Sequence, residues 1–472
     1  MLENWDVIVV GGGSSGLPTA FFAAARGARV LLIDHAPQLG GTLWVASGQM
    51  SAAGTRLQQR KGIEDSADAH YDDVMRISRG SADPQLVRLA VDNAASTFDW
   101  LEDQGFRALP DHPVEGNAHE PYQQSRYYWG EQGGHSVKDV LVPLVMQQVQ
   151  AGRITLKLEH EVTELLITDD GAVAGVVARD QSGATSRFLA RSTALTCGGY
   201  AANPELFEQL NGYPQYTAQP YPYARGAGIR LGMSAGGYLR GQQNVYNNFG
   251  SLLDGDQFPC PLAARVVTYP EMRQPWEIYV NARGNRFVRE DMPSIDAREM
   301  ALSMQPARRF WIIFDQHILD TAPPILLNWD REQLREAFAQ GRPSFLSAGN
   351  LAELAALAGI DAAGLASSVE GYNYGVQTRN DFLGRQHLPS SIGNGPFYAL
   401  RMQGSATSSA VGLAVNNTLQ VIRTDGSAIP NLYAAGELLG AGQTMGKAAC
   451  GGMMVTPALT FGRLLGERLL PL

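Results

Sequence analysis

Residues 5–34 read WDVIVVGGGSSGLPTAFFAAARGARVLLID, and their order predicts one strand, one helix and a second strand around a glycine turn. Val7 to Val10 form an apolar run that opens into Gly11-x-Gly13-x-x-Gly16, with Ser14 and Ser15 between the last two glycines. Small residues follow (Ala20 to Ala25), then the apolar run Val30 to Ile33, which ends in Asp34 and His35. Gly11 suits the tight turn, Gly13 lets backbone approach a pyrophosphate, and Gly16 lets helix pack on strand. Phosphates favour the helix N-terminus, where free N–H groups and the dipole attract negative charge. Asp34 closes the unit ~20 residues on, where a carboxylate accepts from ribose hydroxyls. The spacing predicts a dinucleotide-binding unit.

Working outward, Gly40-Gly41-Thr42 and Ser47-Gly48-Gln49 supply small residues on which a bulky planar ligand could lie. A nicotinamide enzyme has no such duty for this stretch. Thr196-Cys197-Gly198-Gly199 reads as a strand end with a glycine turn, and Ala435-Gly436-Glu437 repeats the theme near the C-terminus. Both suggest one long cofactor touched by distant segments. At these residues, and at Asn281-x-x-Gly284-x-Arg286-Phe287-Val288 and Gly395-Pro396-Phe397-Tyr398-Ala399, the chain resembles the FAD-containing fumarate reductase and 3-ketosteroid dehydrogenase superfamily over nearly its whole length. The resemblance implies an α/β fold: a Rossmann-like, glutathione-reductase-type FAD domain with a β-meander and an inserted α+β cap. It adds Val162, Asn203 and the run Gly451-Gly452-Met453-Met454-Val455 to the expected FAD contacts. Some relatives attach the flavin through a histidine after the first Gly-Gly. Thr42 to Gly48 contains none, so FAD is expected to bind noncovalently.

The chain's 472 residues predict two or three domains with a sizeable core. Hydrophobic residues at 44% and charged residues at 18% are ordinary for a globular enzyme, and 52 glycines suit backbone laid against a cofactor. A formal charge of −9 argues against nucleic acid or anionic membrane as partner. No apolar run approaches the ~20 residues of a membrane span. Strand-like sequence from Trp5 leaves no room for a signal peptide, so a cytoplasmic location is expected. Cys197, Cys260 and Cys450 are widely spaced and odd in number, which excludes a disulfide framework, a CxxC site and c-type haem attachment.

The expected organisation is interrupted: residues 1–238 and 395–472 form the FAD domain, and 239–394 the cap. Asp83-Pro84 predicts a helix start, with Leu86, Leu89, Ala90 and Ala94 at helical spacing. Pro110 to Gly134 reads as a long loop holding Tyr122, Tyr127, Tyr128 and Trp129, and loops of that length are usually functional. Residues 153–200 read as the meander. A helix is expected from Val455 to Leu469.

Chemistry is expected where cap and FAD domain meet. A glycine pair before a helix presents backbone N–H groups that stabilise developing negative charge. The resemblance gives Gly452 a second task, polarising a substrate carbonyl. The catalytic side chains of both branches are replaced. Where fumarate reductases carry dicarboxylate-binding His and Arg and a proton-donating Arg, this chain has Ser409, Ala449 and Leu319. Unpaired carboxylates would then be costly to bury, which argues against fumarate. The two tyrosines of the ketosteroid enzymes are replaced by Ser294 and Ala448, whereas Thr456 to Gly462 resembles their closing helix. Substitute proton acceptors are Tyr127 or Tyr128, acting with a lowered pKa, and then His135 or Ser294. Lys447 and Cys450 read as a solvent-reaching cation and a buried filler.

Three readings follow. The first is FAD-dependent α,β-dehydrogenation of a ketone, steroid or alicyclic keto substrate, by α-proton abstraction and hydride transfer to flavin N5, with oxygen, quinone or a redox protein as electron acceptor. The second is the reverse reduction of an enone or unsaturated acid. The third is a flavoprotein without small-molecule turnover.

Overall fold

The computed structural model describes residues 4–116 and 119–469. The chain divides into two compact units, the first comprising 1–212, 220–245 and 408–472 and the second 213–219 and 246–407.

The first unit is built on an eight-stranded sheet. Asn4–Val10 lies at its centre, flanked in parallel by Val30–Ile33 and by Thr185–Leu195. Val7, Ile8 and Val9 are fully buried, as expected for a parallel strand covered on both faces. Ile154–Lys157 extends the parallel set beside Val30–Ile33, and Ala428–Ala434 extends it beside Thr185–Leu195. The meander is Glu161–Ile167, Val173–Arg179 and the outer half of Thr185–Leu195. Ile154–Lys157, expected in the meander, is instead a strand of the parallel sheet. The long strand Thr185–Leu195 belongs to both parts, and so it carries the meander back to the glycine turn.

Helix Gly16–Ala25 covers the sheet with small residues, and helix Val455–Arg468 packs against it. Contact is backbone-close: Thr19 Oγ1 donates to the Gly462 carbonyl at 3.0 Å, and a Cβ on Gly462 would collide with the Ser15 carbonyl. Helix Pro84–Asp103 starts as expected, with the Asp83 carboxylate accepting from Gln85 and Leu86 N–H at 2.9 and 3.1 Å.

The second unit is α+β. Its six-stranded antiparallel sheet includes Ile278–Val280, Arg309–Asp315 and Phe397–Gln403. Ile312, Ile313, Ala399 and Leu400 lie in its core with no exposed surface. Phe397–Gln403 pairs along its whole length with Arg309–Asp315, so the chain leaves this unit after Thr407 and not at Gly395. Arg286 is fully buried between Glu290 and Asp381, at 2.7 and 2.5 Å. The motif residue thus anchors the unit's interior. No helix among the described residues is long and apolar enough to cross a membrane.

Candidate functional site

The glycine turn behaves as its spacing predicts. Gly11 has φ 103°, and a Cβ there would lie 2.5 Å from the Cys197 Cα. A Cβ on Gly16 would collide with the Gly11 carbonyl oxygen. Gly13 is different: its nearest contact for a Cβ is the Gly41 Cα at 3.7 Å, an ordinary distance. Protein packing therefore accounts for glycine at 11 and 16 but not at 13. Ser15 is the N-cap of Gly16–Ala25, yet its side chain caps no N–H and faces the Ala435 carbonyl at 3.4 Å. Ser14 is half-buried beside it. The start of the helix is left open to an anion.

Asp34 sits at the end of Val30–Ile33 and holds the turn, accepting from Gly12 N–H at 2.5 Å and Ala36 N–H at 2.7 Å. Burial raises its pKa, and those two backbone donors oppose the rise. Gly40 N–H donates to the Gly12 carbonyl at 2.9 Å, which lays Gly40-Gly41-Thr42 over the turn. Thr196 Oγ1 donates to the Gly11 carbonyl at 2.8 Å. Gly48 packs on the Gly133–Gly134 backbone, between exposed Ser47 and half-buried Gln49. Gly436 abuts Ser15, and Gly199 abuts Ser409 and Glu437. Glu437 accepts from Ser409 N–H at 2.9 Å, and burial raises its pKa.

Three further expected cofactor residues have the following surroundings. Asn203 is the N-cap of Pro204–Asn211, accepting from Leu206 N–H at 3.1 Å and donating to the Arg225 carbonyl. His35 is exposed, with its ring edge-on to Tyr223. Val162 is a buried meander residue paired with Ala178.

At the other end, Gly452 has φ 79°, and a Cβ there would overlap the Met50–Ser51 peptide. Thr456 Oγ1 accepts from Ser51 N–H at 2.8 Å, and Thr456 N–H donates to the Gly452 carbonyl at 3.0 Å. The Gly452 N–H donates to no group among the described residues. Met453 is buried, Met454 and Val455 are half-buried, and no side chain caps the helix that Val455 opens.

The structure separates the two candidate tyrosines. Strand Tyr127–Tyr128 pairs with Met50–Ser51, so its two side chains point to opposite faces. Tyr128 is fully buried against Phe98, its hydroxyl bonded to Thr55 Oγ1 at 2.8 Å and to the Ala52 carbonyl at 3.2 Å. It is a core residue. Tyr127 lies on Gly451, where a Cβ would come within 3.0 Å of its ring, and its hydroxyl has no hydrogen-bond partner among the described residues. Burial pushes its pKa well above the usual tyrosine value, which corrects the expected lowered one. The remaining candidates are engaged elsewhere. His135 sits against Trp44, 3.3 Å from its carbonyl oxygen. Ser294 caps Ile295–Ser303, accepting from Ala297 N–H at 3.2 Å. Lys447 is exposed, and Cys450 is a buried side chain near the Val74 and Met445 carbonyls.

Two neighbours complete this end: Tyr122, already singled out in the long loop, and His70, which had no signature in the sequence. Tyr122 donates its hydroxyl to the Gly451 carbonyl. His70, on helix Ala67–Ile77, meets Tyr122 edge to face at 5.5 Å; it is fully buried, with no partner for either ring nitrogen. Burial, aided by the Arg126 charge, holds it neutral. Arg126 is buried between Asp65 and Asp73, each at 2.7 Å, and pins the tyrosine loop to that helix.

The family described as FAD binding domain matches residues 6–454. The cytochrome-type fumarate reductase of Shewanella frigidimarina is 28% identical over 98% of this chain and 77% of its own. An open-conformation flavocytochrome c3 fumarate reductase superposes with a TM-score of 0.73 at 26% identity, over 99% of this chain and 78% of that one. The 3-ketosteroid Δ1-dehydrogenase of Sterolibacterium denitrificans shares the fold over 99% of both chains, with a TM-score of 0.77 and 20% identity.

Proposed function

The chain belongs to the FAD-binding-domain family of oxidoreductases acting on carbon–carbon bonds, and on that premise we propose that it reduces a C=C bond conjugated to a carbonyl, with Tyr127 as proton donor. The observation that carries this reading is the Tyr127 hydroxyl, without a partner among the described residues and held protonated by burial over a glycine turn whose Gly452 N–H likewise has none there. FAD, when bound, supplies the hydride to the β-carbon. The Gly452 N–H polarises the carbonyl oxygen as negative charge develops, and such a backbone donor is worth ~10²–10³ in rate. Tyr127 then gives its proton to the α-carbon, and the Tyr122 bond to the Gly451 carbonyl keeps the turn in place.

The substrate is a ketone and not a dicarboxylate. Ser409, at a position where the resemblance calls for a cation, is buried and accepts from Tyr200 N–H at 2.7 Å. Ala449 and Leu319 at the other two positions offer no charge. A second reading, dehydrogenation of the saturated ketone, is favoured by the ketosteroid-like closing helix and needs Tyr127 ionised. Both use the same atoms in opposite directions.

Anaerobic titration separates them. Photoreduced enzyme reoxidised by cyclohexenone supports reduction, and oxidised enzyme bleached by cyclohexanone supports dehydrogenation. No response to a panel of cyclic enones and ketones would overturn both. FAD is held noncovalently in this proposal, so acid precipitation should leave the yellow colour in the supernatant, and colour retained in the pellet would refute it.

A further inference from the structure

Of the chain's four lysines, Lys138 alone is buried. It lies near the start of helix Gly134–Gln150, in the first unit. A buried lysine is costly unless something offsets its charge. Two groups do so here. The Asp139 carboxylate lies 3.0 Å away, but that side chain is 58% exposed, so water screens the pair. The second is Trp44: the Lys138 ammonium stands over its ring, 3.5 Å from the centre. A cation over an indole face gains most when it has been withdrawn from water, as this one has.

Trp44 in turn closes the bend that begins at Leu39, its Nε1 donating to the Leu39 carbonyl at 2.9 Å. Gly40, with φ 119°, is enclosed in that bend: a Cβ there would lie 2.9 Å from Trp44 Nε1 and 3.0 Å from Lys138 Cγ. The lysine stem therefore fills the bend whose indole its ammonium covers. The helix start secures the residues that follow, with Gly134 N–H donating to the Ala46 carbonyl at 3.0 Å. Gly40-Gly41-Thr42 is thus held from two sides, by the glycine turn through Gly12 and by helix Gly134–Gln150 through Lys138 and Trp44. We propose that Lys138 is a positioning residue for FAD, its ammonium clamping Trp44 so that the Gly40-Gly41-Thr42 strip keeps the shape the cofactor requires. The proposal rests on that strip lying against FAD and is independent of the direction of the reaction proposed above.

FAD release from the holoenzyme, followed by recovery of free-flavin fluorescence on serial dilution, gives the dissociation constant that tests the clamp. Lys138→Met keeps an unbranched apolar stem and removes the charge, so FAD should bind about 5–30-fold more weakly. Lys138→Arg keeps a cation able to lie on the ring and should restore most of the affinity. Trp44→Leu should weaken binding to a similar degree. Adding Lys138→Met to it should cost less than about twofold more, because the two residues act as one pair. Thr42→Trp sets a bulky side chain in the strip itself and checks the premise. Unchanged affinity there would show that the strip lies off the cofactor, whereas a loss there with parental affinity in Lys138→Met would refute the clamp alone. Melting with saturating FAD reports whether each variant folds. Should Trp44→Leu fail to fold, Trp44→Phe keeps a weaker aromatic face and should give an intermediate loss. Parental affinity in Lys138→Met, equal losses in Lys138→Met and Lys138→Arg, or losses that add in full in the double variant would each overturn the proposal.

Discussion

Tyr127 and Tyr128 are neighbours in the chain with opposite environments, and they should respond oppositely to loss of the hydroxyl. Tyr127→Phe should leave FAD content unchanged and slow the reoxidation of reduced flavin by an enone at least ~10²-fold. Tyr128→Phe should leave that rate alone and cost about 1 kcal/mol of stability, since its hydroxyl is bonded to Thr55 and Ala52. Equal rates in Tyr127→Phe and the parent would remove it from the chemistry. With its pKa raised by burial, Tyr127 should still donate at about pH 8–10, where an ordinary tyrosine begins to ionise. The sequence presented both tyrosines as equals because only strand pairing decides which face each takes. His70 gives a second pH signature. Folded His70 stays neutral where the unfolded chain takes up a proton below about pH 6.5. Its contribution to stability is complete above that pH and falls as the pH drops, by up to about 1.4 kcal/mol per unit. Melting curves of His70→Asn between about pH 7 and 5 should be flatter than the parent's, and parallel curves would refute the assignment. Nothing near His70 in the sequence signals it, because its surroundings come from Tyr122 and Arg126, more than forty positions away.

At the scale of the element, the glycine turn divides into positions that packing requires and one, Gly13, that packing does not. Gly16→Ala drives a methyl into the Gly11 carbonyl and should destabilise the whole first unit, visible as a lower melting temperature even without FAD. Gly13→Ala meets only ordinary contact with Gly41 and should fold normally, while its methyl occupies the pyrophosphate's approach and weakens FAD binding. Equal melting losses in both apoproteins would show that Gly13 too is a packing residue. The turn was legible because its spacing encodes strand, helix and acid at once. Asp83-Pro84 is legible as a cap, whereas Asn203-Pro204 and Ser294, whose side chains also accept from helix N–H groups, read in the sequence as cofactor and catalytic residues. Polar residues at helix starts near a site carry both meanings, and only the hydrogen-bond partner separates them.

At the scale of the molecule, the sequence reading places the cap at 239–394, whereas the second compact unit comprises 213–219 and 246–407. Phe397–Gln403 looked like the first segment of the returning chain, but its apolar pattern fits a central strand of either sheet, and pairing with Arg309–Asp315 settles its place. The chain therefore re-enters the first unit only at Ser408. That late re-entry bears on how the protein is made. Ala428–Ala434, which pairs with Thr185–Leu195, and Gly462, which accepts from Thr19, both emerge from the ribosome after the whole of the second unit. Until then the glycine turn at residues 11–16 is exposed to the cell without the strand and helix that complete it. Contacts of such long sequence separation form slowly. The nascent first unit must wait through translation of the entire second unit, which can fold on its own schedule meanwhile. The glycine turn is thus completed for its cofactor only after the second unit has been made.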